Sequence, residues 1–188
     1  MTRALILVLL LVGLVGCGSG ESTQPPAPST AAPEQPTPRP VRVVVSGRGI
    51  DGPVAVEGRG LTKAGGWDNP PVAKPQLGSW YSEGPRPGEP GPAVILGHIN
   101  GNGHAGLFKY LDTVKVNDRV KVYREDGSFV TFKVYKTRKI VKTSFPTDEI
   151  FTDTDVPELR LISCGGDYDP DNRSYLDNII ALARLSQT

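Results

Sequence analysis

Glycine and proline interrupt this sequence so often that its apolar segments stay short. The chain contains 22 glycines and 18 prolines in 188 residues, and no long helical period is visible. Short apolar or alternating segments separated by such residues are typical of strands joined by turns and loops. The sequence therefore predicts a mainly β fold, a closed barrel of seven to eight strands with short helices and long loops.

The clearest local signal is a hairpin, in which residues 119–124 and 128–135 alternate between apolar and polar around Glu125-Asp126-Gly127. Residues 58–92 are dense in glycine and proline but include large aromatic side chains, so we expect a long loop packed over the core. Further strands are predicted at residues 41–45, 53–57, 92–97, 159–164 and 177–183, with residues 136–141 continuing or following the hairpin, and short helices at 107–111 and 146–151.

Residues 1–17 are typical of an export signal, with Arg3 before an apolar run. The run is shorter than the roughly 20 apolar residues that span a bilayer. The stretch Leu14-Val15-Gly16-Cys17 resembles the lipobox of bacterial lipoproteins, in which the cysteine receives a diacylglycerol and becomes the mature N-terminus. An uncleaved anchor or an ordinary signal peptide is the alternative, and both place the domain outside the membrane.

Residues 18–40 are rich in proline, serine, threonine and alanine, and contain almost nothing that could be buried. They predict a disordered tether, which at about 3.1 Å per residue could reach roughly 60 to 70 Å from the membrane. The folded domain is expected at residues 41–188. Its basic and acidic residues are nearly balanced, with 21 and 20 in the whole chain, so no basic surface suggests a nucleic-acid partner.

Cys164 ends the apolar segment 159–164 and is followed by Gly165-Gly166. We expect these glycines to stop the strand and to let other groups approach the sulfur closely. If Cys17 carries a lipid, Cys164 is the only free thiol, and an exposed thiol outside the cytoplasm is vulnerable to oxidation unless it has a role. The sequence thus favours a nucleophile, and a small buried cysteine is the alternative.

His98 stands directly after the apolar strand 92–97, whereas His104 lies in a glycine-rich loop. A rigid element holds a catalytic ring better than a flexible loop, so His98 is the preferred general acid or base and a hydrogen-bonded structural histidine is the alternative. Arg173 could stabilise a thiolate or an oxyanion, or could simply pair with a neighbouring aspartate. A cysteine and a histidine at strand ends make an activated nucleophile possible.

The acidic segment Asp167-x-Asp169-x-Asp171 is similar to part of a calcium loop but departs from it at two positions. Asn172 stands where the turn glycine belongs and Asn178 where the bidentate glutamate belongs. We therefore predict no calcium. Two distant cysteines and two histidines also argue against a structural zinc site, and no cofactor is expected.

Three parts of the sequence, in this order, together resemble the sortase family. They are Ala93-Val94-Ile95-Leu96-Gly97-His98, Leu159-Arg160-Leu161-Ile162-Ser163-Cys164-Gly165-Gly166, and Arg173 before Ser174-Tyr175 and Asp177-Asn178. The Cys-Gly-Gly continuation and Gly78-Ser79-Trp80-Tyr81 are most similar to the actinobacterial class F group. The resemblance covers residue 41 to the C-terminus and implies an eight-stranded sortase barrel.

The resemblance also implies a cysteine transpeptidase that acts on exported proteins bearing an LPXTG-like C-terminal signal. Cys164 would attack the Thr–Gly carbonyl, His98 would protonate the leaving amine and deprotonate the incoming one, and Arg173 would stabilise the oxyanion or position the substrate. The acceptor would be an amine of the cell wall, a pilin lysine, or water.

The chain departs from the family at two places. Sortases usually carry a transmembrane anchor, whereas a lipid on Cys17 is expected to hold this chain to the extracytoplasmic face of the membrane. Residues 99–101 follow the family only loosely and are assigned no role. Two other functions stay open: a sortase-like lipoprotein that binds peptides without cleaving them, and a different extracytoplasmic cysteine hydrolase such as a wall peptidase.

Overall fold

The computed structural model describes residues 36–55 and 69–186 of the chain. The predicted export signal with Cys17, most of the tether, and Trp67 of the long loop lie outside the described residues. Within the two described ranges, no helix is both long enough and apolar enough to cross a membrane.

Eight strands close into a barrel, which confirms the predicted fold class. The strands in chain order are β1 (Pro40–Val45), β2 (Ile50–Ala55), β3 (Gly78–Trp80), β4 (Gly91–Leu96), β5 (Asn100–Gly101), β6 (His104–Ala105), β7 (Arg119–Arg124), β8 (Phe129–Val141), β9 (Pro157–Asp169) and β10 (Ser174–Leu185). Around the barrel they follow the order β1-β2-β3-β4-β9-β10-β8-β7, with β7 paired to β1. Strands β5 and β6 form a separate two-stranded hairpin.

The helices are short, as expected. Helix α1 spans Thr147–Phe151, and 3₁₀ turns lie at Leu111–Thr113 and Lys142–Ser144. The helix predicted at residues 146–151 is confirmed. The one predicted at residues 107–111 is not a helix over that range, because hydrogen-bonded turns precede a 3₁₀ turn that begins only at Leu111.

The predicted hairpin is confirmed as β7 and β8, and residues 136–141 continue β8 without a break. Strand β3 was not predicted, because a three-residue strand shows no alternation and lies inside the glycine- and proline-rich segment 58–92. It pairs parallel to β2 and antiparallel to β4. Trp80 is buried there, and its indole N–H donates to the Pro85 carbonyl over 3.3 Å.

Two apolar clusters cover the two faces of the sheet. The inner cluster takes side chains from all eight barrel strands and so fills the barrel. The outer cluster joins α1, through the fully buried Ile150, to alternate residues of three adjacent strands: Val94 and Leu96 of β4, Ile162 of β9, and Ile180 and Leu182 of β10. Because side chains alternate along a strand, the residues that follow in the same phase also face outward.

The prediction that Gly165-Gly166 stops the strand is wrong, since β9 continues through both glycines to Asp169. The glycines instead let β9 pass very close to β10. A Cβ on Gly165 would collide with the side chain of Ile179, and a Cβ on Gly166 would collide with the carboxylate of Asp177. The pairing of β9 with β10 shifts register just beyond this point, so the glycines mark an irregularity in the strand and not its end.

Candidate active site

His98 and Cys164 lie side by side because β4 and β9 are adjacent parallel strands. Leu96 of β4 is paired with Ile162 of β9, and the amide of Gly97 donates to the Ile162 carbonyl over 3.1 Å. Continuing this register by two residues places His98 opposite Cys164. Both are in the outward phase set by Leu96 and Ile162, so both side chains leave the same face of the sheet.

Cys164, His98 and Arg173 line one cavity of about 350 Å³. Cys164 is a free thiol and is partly exposed, so it is not a sealed core residue. His104 lines a neighbouring cavity of about 620 Å³ and is not among the residues lining the cavity of Cys164 and Arg173. Of the two histidines, His98 is the one that shares a cavity with Cys164 and Arg173, and its acid–base role stays a prediction.

The ring of His98 is held by the backbone of the loop before β3. Its Nε2 lies 2.5 Å from the carbonyl oxygen of Pro70. A carbonyl can only accept a hydrogen bond, so Nε2 carries the proton and Nδ1 is the acceptor of the neutral ring. The hydrogen-bonded structural role and the acid–base role, which were alternatives in the sequence, are therefore compatible in the structure.

Arg173 lies in the turn between β9 and β10, where it has a left-handed backbone with φ of 48°. Among the described residues it forms no ion pair, so the predicted pairing with a neighbouring aspartate is not found. Asp169 instead accepts hydrogen bonds from the side chain and backbone of Asn172 and from the amide of Asp171, and these lower the pKa of Asp169. The Arg173 guanidinium is thus free to act on a ligand.

The cavity has polar and aromatic walls that sequence reasoning did not identify. Tyr168 and Tyr175, paired across the β9–β10 hairpin, pack edge to face with centroids 5.2 Å apart. The side-chain amide of Asn100 donates to the hydroxyl of Tyr175 over 2.6 Å. Residues 99–101, which were given no role, therefore line this cavity. The aromatic residues on either side of Arg173 in the sequence were the signal from which these cavity walls could have been predicted.

Cys164 also lines a second cavity, of about 300 Å³, on the side of the barrel mouth. This cavity is charged, with Lys109, Asp112, Lys139 and Asp167 on its walls. Lys139 is paired with Asp177 over 3.1 Å. Cys164 therefore contributes to the walls of two cavities, one of which it shares with His98 and Arg173.

A buried ionic network on the outer face of β9 holds helix α1 in place. The Arg160 guanidinium donates to the carbonyls of Glu149 and Ile150, and to the Glu158 carboxylate over 3.1 Å. Glu158 also accepts hydrogen bonds from Arg184 over 3.1 Å and from Tyr135 over 3.2 Å. Burial, together with this carboxylate, raises the pKa of Tyr135. The network therefore holds α1 against the strand that carries Cys164.

Among the described residues, no group of three histidine, cysteine, aspartate or glutamate side chains is arranged to hold a metal ion. The groups that surround the Cys164 thiol in its cavity are the His98 imidazole, the Arg173 guanidinium and polar side chains. A closed β-barrel with a free thiol within one strand and an imidazole just beyond the parallel neighbouring strand, both lining one cavity, has the groups of an activated thiol nucleophile.

The family described as "Sortase domain" matches residues 45–186, and the chain therefore belongs to the sortase family, whose members are cysteine transpeptidases. A sequence comparison with curated proteins found no match.

Solved sortase structures show the same fold. Sortase A from Corynebacterium diphtheriae is 18% identical with a TM-score of 0.59, over 80% of this chain but only 62% of that chain. Sortase C-1 from Actinomyces oris is 16% identical with a TM-score of 0.59, over 79% of this chain and 76% of that chain. A Clostridium perfringens sortase D5 transpeptidase is 17% identical with a TM-score of 0.56, over 82% and 84%.

These three structures are sortases A, C and D. The resemblance to class F, which rests on the residues around Cys164 and Trp80, therefore stays a prediction.

Proposed function

We propose that this sortase cleaves an LPXTG-like sorting signal between Thr and Gly and transfers the acyl group to an amine of the cell envelope, a pilin lysine, or water. The observation that supports the proposal most directly is that Cys164, His98 and Arg173 line one cavity, with Cys164 on β9 and His98 two residues beyond its parallel neighbour β4.

In the first half of the reaction the Cys164 thiol gives its proton to Nδ1 of His98, and the resulting thiolate attacks the threonine carbonyl carbon. The oxygen becomes an oxyanion, which the free guanidinium of Arg173 stabilises. The carbon–nitrogen bond then breaks, and His98 gives a proton to the leaving glycine amine. Because Nε2 of His98 is bound to Pro70, Nδ1 is the nitrogen that exchanges this proton.

In the second half an amine attacks the thioester that links the substrate to Cys164. His98 takes a proton from the incoming amine, and the sulfur leaves as a thiolate, which takes that proton from His98 and so restores the starting state. Water in place of the amine gives hydrolysis by the same steps. The leaving and the incoming amine use the same acid–base group, so both must occupy the cavity on the His98 side of the sulfur.

The test is incubation of the domain with LPXTG-type peptides, followed by intact-protein mass spectrometry. We expect an acyl adduct on Cys164, and its conversion to an amide product when an amine is added. Cys164→Ala is expected to abolish the adduct and the cleavage while peptide binding is retained. Peptides that remain uncut and protein that remains unmodified, across several sorting sequences, would overturn the proposal.

We also propose that a lipid on Cys17 and the tether at residues 18–40 hold this enzyme at the outer face of the cell membrane. The support is sequence alone: the lipobox-like Leu14-Val15-Gly16-Cys17 after a short apolar run. Such a placement brings the domain to exported proteins as they emerge, which matches the proposed substrate class.

A further inference from the structure

The residue paired with Cys164 on the other flank of β9 is Asn178 of β10. In an antiparallel pair the two side chains project to the same face, with Cβ atoms about 4.5 to 5.5 Å apart. Asn178 is also in phase with Ile180 and Leu182, which belong to the outer cluster. His98, Cys164 and Asn178 therefore form one row across three adjacent strands on the outer face.

The side chain of Asn178 forms no hydrogen bond or ion pair among the described residues, and it is partly buried. A half-buried amide without a partner is unfavourable unless a ligand or solvent completes it. Its Nδ2 group is a donor that is not bonded to the Cys164 sulfur in the structure, and a turn of the side chain is what would bring the two together.

Arg173 is placed very differently along the same hairpin. Its neighbour Ser174 pairs with Asp169, five residues beyond Cys164 in β9. At about 3.3 Å per residue, that turn begins roughly 16 Å along the strand from Cys164, less the length absorbed by the irregularity. The guanidinium reaches the cavity only through its long side chain, whereas Asn178 is next to the sulfur through the sheet itself.

We infer that Asn178 is a positioning residue whose side chain turns to donate an amide N–H to Cys164 once the thiol is ionised, and so fixes the direction in which the sulfur faces the cavity. That the sulfur acts as a nucleophile rests on the proposed function. Hydrogen bonds to an ionised acceptor are stronger than neutral ones, so this donor favours the thiolate over the thiol. Because the amide is uncharged, it stabilises the thiolate without adding a second positive charge beside Arg173, which is left to bind the oxyanion.

The thiolate fraction is read directly by the pH dependence of Cys164 alkylation with iodoacetamide, which requires no sorting peptide. The ionisable groups that line the two cavities of the sulfur are His98, Lys109, Asp112, Lys139, Asp167 and Arg173, together with the phenols of Tyr168 and Tyr175. Asp177 is tied to Lys139. All of them are retained when only Asn178 is changed, so a shift reports the amide.

Two variants test the inference. Asn178→Leu keeps the size and removes the donor, and we expect the pH midpoint of alkylation to rise by about one unit, since a hydrogen bond to a charged group is worth about that much. Asn178→Asp is isosteric and places a like charge beside the thiolate, so its midpoint should rise further. Thr137→Ala, on the exposed part of β8 opposite Ala181, is the control and should leave the midpoint unchanged.

A midpoint that is unchanged in Asn178→Leu would overturn the inference. If Asn178→Leu fails to fold, as judged by thermal unfolding, Asn178→Ala removes the same donor and its midpoint decides in the same way. A wild-type protein that never forms an acyl adduct would overturn the proposed function, yet the alkylation profiles would still report on Asn178. The two failures are therefore distinguishable.

Discussion

Gly166 follows Cys164 by two residues and has a backbone conformation that other residues adopt only at a cost. Its φ is 74°, and a Cβ there would occupy the place of the Asp177 carboxylate. A substitution must therefore displace Asp177 from Lys139 and move the backbone that carries the sulfur. The glycine is required for space as well as for conformation.

We predict that Gly166→Ala lowers the rate of acyl-adduct formation by about ten- to a hundredfold, since a displacement near 1 Å at a reacting atom costs that much. The matched control is Gly127→Ala in the β7–β8 turn. Gly127 has φ of 82° but open space around its Cβ position. Both variants place a side chain on a left-handed backbone, which should lower the free energy of unfolding, measured by urea titration, by about 1 to 2 kcal/mol. Equal loss of rate in the two variants would contradict the prediction.

Helix α1 and the strand that it covers depend on each other through Arg160. Its side chain is only 4% exposed, and it satisfies carbonyls at the end of α1 while pairing with the equally buried Glu158. Removal of one partner from a buried pair leaves the other charge and the freed carbonyls without full compensation. The contact between α1 and β9 is thus stabilised by charge inside an apolar layer.

We expect Arg160→Met to lower the free energy of unfolding by about 3 kcal/mol or more, measured by urea titration. Arg42→Met is the control, because Arg42 pairs with Asp51 over 2.7 Å but the two side chains are 51% and 50% exposed. Solvent screens such a pair, so the control should change stability by about 0 to 1 kcal/mol. Similar losses in the two variants would show that Arg160 does not anchor α1.

The elements that the sequence predicted well are those whose pattern lies within a few neighbouring residues. The β7–β8 hairpin follows from alternation around one turn, and the strands carrying His98 and Cys164 follow from short apolar runs. Strand β3 was missed because three residues carry no period. The end of β9 was placed five residues too early, since two glycines in sequence do not reveal that a neighbouring strand occupies the space beside them.

The residues of the candidate site also fall into those with a local sequence pattern and those that depend on tertiary structure. Cys164 and His98 could be selected from the sequence because each stands at the end of a short apolar run. The Pro70 carbonyl and Asn178 could not, because the first depends on where a long loop folds back and the second on the register between β9 and β10. Register is set by tertiary packing, and a shift of one residue would turn Asn178 away from the sulfur.

The anchoring of the whole protein gives a prediction of a different kind. If residues 1–16 are removed at the lipobox, the mature protein begins at Cys17 and carries a diacylglycerol mass on that residue. Mass spectrometry of the N-terminal peptide from membrane fractions measures both. Cys17→Ser should release the domain from the membrane with its chemistry at Cys164 intact. A mature N-terminus at any other residue would contradict the prediction.

Strand β10 is the last strand of the chain to be made, and it enters the barrel between β9 and β8. The sulfur gains its neighbour on β10 only when that final segment has docked, and it gains His98 only when β4 has joined β9. Contacts so distant along the chain form late in folding. A polypeptide that ends before β10 therefore lacks the neighbour of the sulfur on that strand, so the surroundings of Cys164 are complete only when the whole barrel has formed.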